Sequence, residues 1–479
     1  MKFSWQKHVR FAAGLLASGI ILYWGATRPL DFAVDDAYIT YRYAENLRHG
    51  VGFVYNAGEP VLGTTAPMYA MILALLSFVV PDFVLLGHWL SVIAWGAAAF
   101  MTTPLLLKLK QPLAAAIAPI LIALQPTILR SVGMETAFLL FLMFFVAWSW
   151  LDGRKKTAVL AAAIMLVTRQ DSALWLLVLG LAVWQREKRL PWREAVAVIA
   201  FTLPWFVFAW WQYGSILPNS AAAKIGRISV MGGAFDIPFW QRFGQLIIDR
   251  SLSLVVVILP AALLAWLLKA VTTRPWTGWW MLVWVVAHTA VYSLLNVVNF
   301  NWYFVPPVAV TMLLVALGFE ALASWIQQLT RKKEFQRAWT GPVVSILLLI
   351  PLLFSLGIET RRMNQNPGVR ADYFQIGQWL ARNTSLEASV ATIEIGVIGY
   401  ESGRPIVDTM GLVSPDMAEH QLGWVETLVY ALEAYEPRYL VTLPGTAWDA
   451  ILPQWWFQQI DEPAVTLEHA TILRRKKQL

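Results

Sequence analysis

The sequence predicts a polytopic α-helical membrane protein that carries a small α/β domain in its C-terminal part. Hydrophobic residues make up 58% of the 479 residues and charged residues only 14%, too few to cover the surface of a soluble protein of this size. The 26 tryptophans fit rings that anchor at two bilayer interfaces. Beyond residue 357 the long apolar runs give way to short strand and helix patterns. We therefore expect a membrane domain over 1–357 and an α/β domain over 358–479.

Two compositional facts exclude some classes of site. The chain has no cysteine, which rules out disulfides, thiolate metal sites and a cysteine nucleophile. The net charge of +7 is ordinary for a membrane protein with basic inner loops and gives no argument for nucleic acid as a partner.

The first hydrophobic segment follows Lys2, Lys7 and Arg10. Its basic start resembles that of a signal peptide, but no small-residue cleavage site follows it, so we expect an uncleaved anchor. A spanning helix needs about 20 apolar residues, fewer where it is short or broken. The sequence has about eleven candidate spans, at 10–29, 83–107, 111–129, 136–151, 157–169, 171–185, 194–212, 251–269, 276–296, 302–327 and 340–357.

Topology follows from the short basic loops, which should face the cytoplasm. With eleven spans all six basic clusters fall on one side, the N-terminus is cytoplasmic and the C-terminal domain is extracytoplasmic. The apolar run at 66–80, "APMYAMILALLSFVV", is left out of this count because a single further crossing would invert every later loop. We expect it to dip into the outer leaflet or lie along it; the alternative is a crossing paired with a hidden second one.

The segment "TAVLAAAIMLVTRQDSALWLLVLGLAVW" lies between two basic loops. Its middle must reach the outer side, so we expect two short helices that meet there and present Arg169 and Asp171. Ionisable groups at such a depth should face a cavity or each other. A plain internal ion pair that holds two helices together remains the alternative.

The C-terminal part, from "YFQIGQWLARN" onwards, is predicted to alternate helix, strand, short glycine-rich helix and strand. Further strands are expected at "PRYLVTL", "AVTLEH" and "ATILRR", the last two as a hairpin. The stretch "EIGVIGY" has closely spaced glycines after a strand. It lacks the G-x-G-x-x-G order, which argues against nucleotide binding.

The densest cluster of ionisable groups is "VDDAYITYRYAENLRHG", in the predicted outer loop over 30–65. Asp35 and Asp36 precede a helical run that ends near Gly50. One carboxylate would suffice to cap this helix. Two adjacent ones, with Arg42 seven residues after Asp35, exceed that need and indicate a site.

A carboxylate at an outer membrane surface can act as a general base on an acceptor hydroxyl that attacks a sugar carbon. Nucleotide donors are not available on that side, whereas lipid-linked phosphates are. Nearby cations would stabilise the departing lipid phosphate, and Arg42, Arg169 and Lys224 all lie on the predicted outer side.

Several motifs together resemble GT-C-type integral membrane glycosyltransferases, and most of all their bacterial arabinofuranosyltransferase-like branch. The longest is "DDAYITYRYAENLRHGVGFVYNAGEPVLGTT"; the others are "GMETAFL", "TRQDSAL", "LPNSAAAK", "NWYFVPP" and "EIGVIGYESGRPIVDTMGLVSP". The resemblance covers most of the chain, weakly between motifs. The sequence departs from the family pattern at Gln170 and Ser172, where T-R-P-E/D-G is usual, which puts the geometry around Arg169 in doubt.

The resemblance implies a transferase in the bacterial plasma membrane that moves a sugar from a polyprenyl-phosphate donor to an extracytoplasmic acceptor, with Asp35 in the catalytic acidic position. Asp36 shares this role or holds a metal. Some members of the superfamily use a divalent cation and others do not, so the metal is left open.

The remaining candidates each have a functional and a structural interpretation. Glu135 contacts the sugar or forms a local ion pair with Arg130. Lys224 binds phosphate or is solvated, and Tyr303 contacts the donor or belongs to an interfacial aromatic belt.

Two other functions share these features. A transporter or flippase of a lipid-linked or small polar substrate would also have a broken helix with buried charge, although no twofold internal repeat is present to support it. An oligosaccharide ligase or polymerase would use the same outer-face chemistry with a lipid-linked glycan.

Overall fold

The structure is a computed structural model of the chain. It describes residues 2–30, 33–225, 237–248, 263–268, 278–330, 368–414, 416–417, 424–443, 448–454, 461–467 and 470–475, with single residues at 354, 358 and 361.

The described part of the first 330 residues is helical. Its helices are α1 (Lys2–Ala26), α2 (Asp35–Arg48), α3 (Pro67–Leu76), α4 (Phe83–Lys108), α5 (Ala114–Ala123), α6 (Pro126–Leu129), α7 (Thr136–Leu151), α8 (Lys155–Thr168), α9 (Ala173–Glu187), α10 (Trp192–Tyr213), α11 (Asn219–Lys224), α12 (Phe239–Ile248), α13 (Trp279–Leu294) and α14 (Asn301–Thr330).

Three of the described helices are long and apolar enough to cross a membrane: Phe83–Lys108, Trp192–Tyr213 and Asn301–Trp325. Five shorter apolar helices accompany them: Phe11–Ala26, Pro67–Leu76, Ala114–Ala123, Thr136–Leu151 and Trp279–Leu294. The predicted count of about eleven spans is not confirmed. Two of those spans, 251–269 and 340–357, lie wholly or largely outside the described residues.

One predicted span is broken in the structure. The sequence predicts a single helix over 111–129, but α5 ends at Ala123 and the short α6 begins at Pro126. Proline disfavours helical backbone in the residue before it, and Gln125 is accordingly extended, with φ −82° and ψ 110°. The continuous apolar run therefore folds as two pieces.

The apolar run at 66–80 forms only the ten-residue α3. At a rise of about 1.5 Å per residue this helix is roughly half the length that a span needs. That the segment dips into the outer leaflet or lies along it stays a prediction.

The helix break predicted around Arg169 is present. Helix α8 ends at Thr168, Arg169 is extended with φ −152° and ψ 122°, and a 3₁₀ turn over Gln170–Ser172 leads into α9. The two helices are 14 and 15 residues long, so Arg169 and Asp171 lie where they meet, as expected.

Helix α4 is central to the bundle and packs against α1, α5 and α7. Small residues permit this close packing: a Cβ on Gly25 of α1 would lie 2.6 Å from a methyl carbon of Val92 on α4. Helices in a membrane associate through such close contacts because lipid tails give no hydrophobic drive between them.

The C-terminal part contains a five-stranded sheet in the order β2-β1-β3-β5-β4. Strand β1 pairs in parallel with β2 and β3, whereas β5 is antiparallel to both β3 and β4. The predicted strands and the predicted hairpin are all present. The elements are α15 (Gly368–Asn383), β1 (Val390–Thr392), α16 (Gly396–Ser402), β2 (Ile406–Asp408), α17 (Trp424–Tyr435), β3 (Tyr439–Thr442), α18 (Trp448–Ile451), β4 (Asp461–Thr466) and β5 (Thr471–Arg475).

Helix α16, from the "EIGVIGY" stretch, joins the two parts of the chain because it packs against both α15 and α2. A Cβ on Gly396 would overlap the main-chain oxygen of Asp35, and one on Gly399 would overlap the hydroxyl of Tyr55. The closely spaced glycines therefore allow the close approach of α16 to Asp35 and Tyr55.

Candidate functional site

The first turn of α2 presents two adjacent carboxylates, and neither caps this helix. The N-cap residue is Val34, and the helix has no side-chain cap. Asp35 instead faces the start of α16: its Oδ2 accepts a hydrogen bond from the main-chain N–H of Gly396 at 2.8 Å, and its Oδ1 accepts one from Val397 at 2.7 Å. The structure therefore contradicts the interpretation that one of these aspartates caps the helix.

The environment of Asp35 shifts its proton equilibrium. Burial raises its pKa to about 6, and the charge of Asp36 adds to the increase, while the hydrogen bonds from Val397 and Gly396 oppose it. A carboxylate with a pKa near neutrality is well matched to accept a proton and then release it.

A third carboxyl group, that of Glu394, lies beside Asp35 and forms a side-chain hydrogen bond with it. Burial, followed by the charges of Asp35 and Asp36, raises the pKa of Glu394 well above its usual range. Sequence analysis missed this residue. The available signal was its position just after a strand of a parallel sheet, where α/β proteins commonly place ligand-binding groups.

Asp36 is neutralised by Lys224, the last residue of α11, with 3.0 Å between Oδ2 and Nζ. The two side chains are only 23% and 11% exposed. Burial alone would lower the pKa of Lys224, but Asp36, Tyr303 and Glu135 together raise it. The ammonium also lies over the rings of Phe300, at 5.0 Å, and Trp302, at 5.4 Å.

Arg169 forms the second cationic position, at the break between α8 and α9. Its Nε and Nη2 donate to the two carboxylate oxygens of Asp171 at 3.1 and 2.6 Å, and Tyr292 donates to Asp171 at 2.6 Å. The remaining nitrogen, Nη1, lies 3.7 Å from Oε1 of Glu135 and has no hydrogen-bond partner among the described residues. The guanidinium lies 5.4 Å from the centre of the Tyr303 ring.

These contacts bear on the alternatives stated above for three residues. Glu135 is 3% exposed and forms an ion pair with Arg169. Arg169 and Asp171 do form an internal pair, but Nη1 of the same arginine is not hydrogen-bonded to any described residue. Lys224 is buried and ion-paired, which excludes the solvated alternative.

Arg42 lies away from the aspartate pair. It donates to the main-chain oxygens of Tyr55, at 2.8 Å, and Arg404, at 2.7 Å, and also to that of Gly399. Seven residues along a helix correspond to about 10 Å of rise, so its place on the same face does not bring it to Asp35. The cation that neutralises an aspartate is Lys224, and Arg42 instead joins α2 to the C-terminal part.

The residues present do not fit a divalent cation at Asp35 and Asp36. Both oxygens of Asp35 accept main-chain N–H groups, and Asp36 pairs with Lys224. A hard cation needs several free oxygen ligands. Within the described ranges no group of three or more His, Asp or Glu side chains is arranged to hold a metal.

Solved structures of similar fold were found for nearly the whole chain. The crystal structure of ArnT from Cupriavidus metallidurans bound to undecaprenyl phosphate has a TM-score of 0.57 and 14% identity, and covers 99% of this chain and 98% of that chain. The apo oligosaccharyltransferase of Archaeoglobus fulgidus has a TM-score of 0.62 and 13% identity, over 91% and 69% of the two chains. The oligosaccharyltransferase AglB of the same organism, in complex with an inhibitory peptide and a dolichol-phosphate, has a TM-score of 0.56 and 12% identity, over 92% and 70%.

Sequence comparison adds one match, to a domain of unknown function (DUF8728) over residues 360–473. No curated protein matches the chain by sequence. The structural likeness, over more than nine-tenths of the chain, confirms the fold that the motifs suggested: the chain has a GT-C-type fold.

Proposed function

We propose that this protein is a membrane glycosyltransferase that moves a sugar from a polyprenyl-phosphate donor to a hydroxyl group of an extracytoplasmic acceptor. The observation that carries the proposal is that Asp36 pairs with Lys224 and Glu135 pairs with Arg169, with Tyr303 beside Arg169 and acting on Lys224, all contributed by widely separated segments of a GT-C-type fold. Two of the structures of similar fold hold lipid phosphates, undecaprenyl phosphate in ArnT and dolichol-phosphate in AglB.

Lys224 and Arg169 form the phosphate site of this proposal. Nη1 of Arg169 is buried and has no hydrogen-bond partner among the residues that the structure describes, and Lys224 has three N–H donors, of which Asp36 uses one. Arg169 lies over the Tyr303 ring, and the Tyr303 side chain also raises the pKa of Lys224, so an anion bound between the two cations would lie beside Tyr303. Asp171 and Glu135 hold the guanidinium in place.

Asp35 is the general base. The acceptor oxygen attacks the anomeric carbon of the donor sugar, the bond from that carbon to the phosphate oxygen breaks, and the lipid phosphate leaves with the bonding electrons. The acceptor's proton passes to Asp35, whose pKa near 6 suits the task. Lys224 and Arg169 stabilise the negative charge on the departing phosphate, and Asp36 orients Lys224.

This function sets the orientation in the membrane that we propose. The N-terminus lies in the cytoplasm of a bacterial cell, about eleven segments cross the plasma membrane, and the α/β domain over 358–479 lies outside with the site. The bilayer supplies the lipid-linked donor from the side.

The test is sugar transfer by the purified protein in lipid nanodiscs, with a panel of radiolabelled polyprenyl-phosphate sugars and a mixed glycan acceptor pool. One donor should be consumed with release of polyprenyl phosphate. Lys224→Met should raise the KM for that donor about tenfold or more, since one charge-assisted contact is lost. The matched control is Lys156→Met, a change at an exposed lysine on α8.

Two outcomes would refute the proposal. Equal donor KM values for Lys224→Met and Lys156→Met would remove the phosphate site. Movement of the intact donor across the membrane of a proteoliposome, with no transfer to any acceptor, would establish the transporter alternative instead.

A further inference from the structure

The site contains a carboxyl group that the reaction above does not use. Glu394 follows β1 by two residues, and β1 lies between β2 and β3, parallel to both. The chain passes from β1 to β2 on one side and then across to β3 on the other. Open α/β sheets bind ligands at the carboxyl ends of their parallel strands, at the point where successive connections leave in opposite directions across the sheet. Here this edge of the sheet faces the first turn of α2.

Charge does not balance at this edge. Asp35, Asp36 and Glu394 are three carboxyl groups, and Lys224 pairs with Asp36. In the part of the chain that the structure describes, no Lys or Arg forms an ion pair with Asp35 or Glu394. Two carboxyl groups in hydrogen-bonding contact at a poorly solvated site, with a third negative charge beside them, do not both ionise, so together they hold one proton.

The hydrogen bonds decide which group is protonated. Asp35 receives two main-chain N–H groups, at 2.8 and 2.7 Å, and these donors favour its charged form. Glu394 contacts Asp35 and has one donor that favours its own charged form, the Tyr373 side chain of α15, against the two main-chain donors of Asp35. Asp36 of α2 is the other charge that acts on both groups, and it disfavours ionisation of either. The proton therefore resides on Glu394.

We propose that Glu394 is a positioning residue: it donates its carboxyl proton to Asp35 and, with the main-chain N–H groups of Gly396 and Val397, fixes the carboxylate that receives the acceptor's proton. The inference rests on the proposed function. Glu394 keeps its own proton throughout, and the proton from the acceptor goes to Asp35. The C-terminal part is thereby a component of the catalytic centre.

Three variants test this. Glu394→Gln retains an N–H donor and should keep kcat within about threefold of wild type. Glu394→Ala should lower kcat about 10- to 100-fold, the loss that corresponds to one hydrogen bond to a charged group, while the KM for the lipid donor stays unchanged. Glu433→Gln, at an exposed glutamate of α17, is the control and should behave as wild type.

A pH profile separates positioning from a general structural role. In Glu394→Ala the pH below which kcat falls should rise above the wild-type value near 6, because Asp35 loses a donor that stabilises its charged form. In Glu394→Gln it should stay in place. A wild-type profile and kcat for Glu394→Ala, in a protein whose Asp35→Asn variant is inactive, would overturn the inference and leave the proposed function standing.

A second measurement needs no substrate. Infrared spectra of the protein at neutral pH should contain the carbonyl band of a buried protonated carboxyl group, present in Glu433→Gln and lost in Glu394→Gln. An unchanged band in Glu394→Gln would overturn the inference even if no sugar transfer were found.

Discussion

The close approach of α16 to α2 makes Gly396→Ala the sharpest perturbation that the structure offers. The added Cβ would overlap the main-chain oxygen of Asp35 and come within 2.5 Å of its Oδ2. The new Cβ is fixed to the main chain of α16 and would clash with main-chain atoms of Asp35, so no side-chain rotation can relieve the clash. The expected response is a displacement of α16 away from α2.

The cost can be worked out from the bonds that such a displacement breaks. Asp35 would lose its hydrogen bonds from Gly396 and Val397. Hydrogen bonds to a charged group are worth about 1.5–3 kcal/mol each, so the contact between the two helices should weaken by about 3–6 kcal/mol. A difference of about 3 kcal/mol corresponds to more than a 100-fold change in an equilibrium constant.

Hydrogen–deuterium exchange measures this directly. In Gly396→Ala, amides in a peptide over 396–402 should exchange at least 100-fold faster than in wild type. The control is Gly244→Ala in α12, where a Cβ would meet nothing within 4 Å and alanine favours the helix. Unchanged exchange over 396–402 in Gly396→Ala would refute the claim that Asp35 holds α16 in place.

Three further predictions concern Asp35, Arg42 and Tyr303. As pH falls through about 6, Asp35 becomes protonated and kcat should decline tenfold per pH unit; a limit near pH 4 would mean that Asp35 has an ordinary pKa or is not the base. Arg42→Met leaves three main-chain oxygens without their hydrogen-bond donor. It should lower the free energy of unfolding in detergent by about 2–5 kcal/mol. Arg42→Lys should not restore this stability, because a single ammonium group cannot donate to all three oxygens. Tyr303→Phe keeps the ring beside Arg169 and should leave the donor KM within twofold of the wild-type value. Tyr303→Leu should raise the donor KM about three- to tenfold, because the cation–π contact is lost. Equal KM values for the two variants would assign Tyr303 to packing alone.

Local chemistry was enough to predict several elements of this fold. The break between α8 and α9 was expected because basic loops flank the segment on both sides, and the strands of the C-terminal sheet were expected from the short strand patterns. The same local approach failed at 111–129, where hydropathy predicted one helix and Pro126 divides it. Hydropathy averages over a window and so overlooks a single residue that lacks an N–H group.

Which charged side chains pair with each other in the site could not be predicted from the sequence. Arg42 was expected near Asp35 because both lie on α2. It instead donates hydrogen bonds to the main-chain carbonyl groups of Gly399 and Arg404, more than 300 positions away in the sequence. Lys224 is 188 positions from Asp36, and no periodicity connects them. Which opposite charges meet in a poorly solvated site depends on how helices pack, and not on their spacing along the chain.

The sequence by itself determined the membrane class, the position of the acidic pair at the start of a helix, and the α/β character of the C-terminal part, because hydropathy, helix signals and strand alternation act over a few residues. Only the tertiary structure decided that Asp35 faces α16, that Lys224 neutralises Asp36 and that Glu394 joins them. The physical reason is burial: once these groups leave water, each charge must find a partner or a proton, and the fold fixes which ones lie within reach.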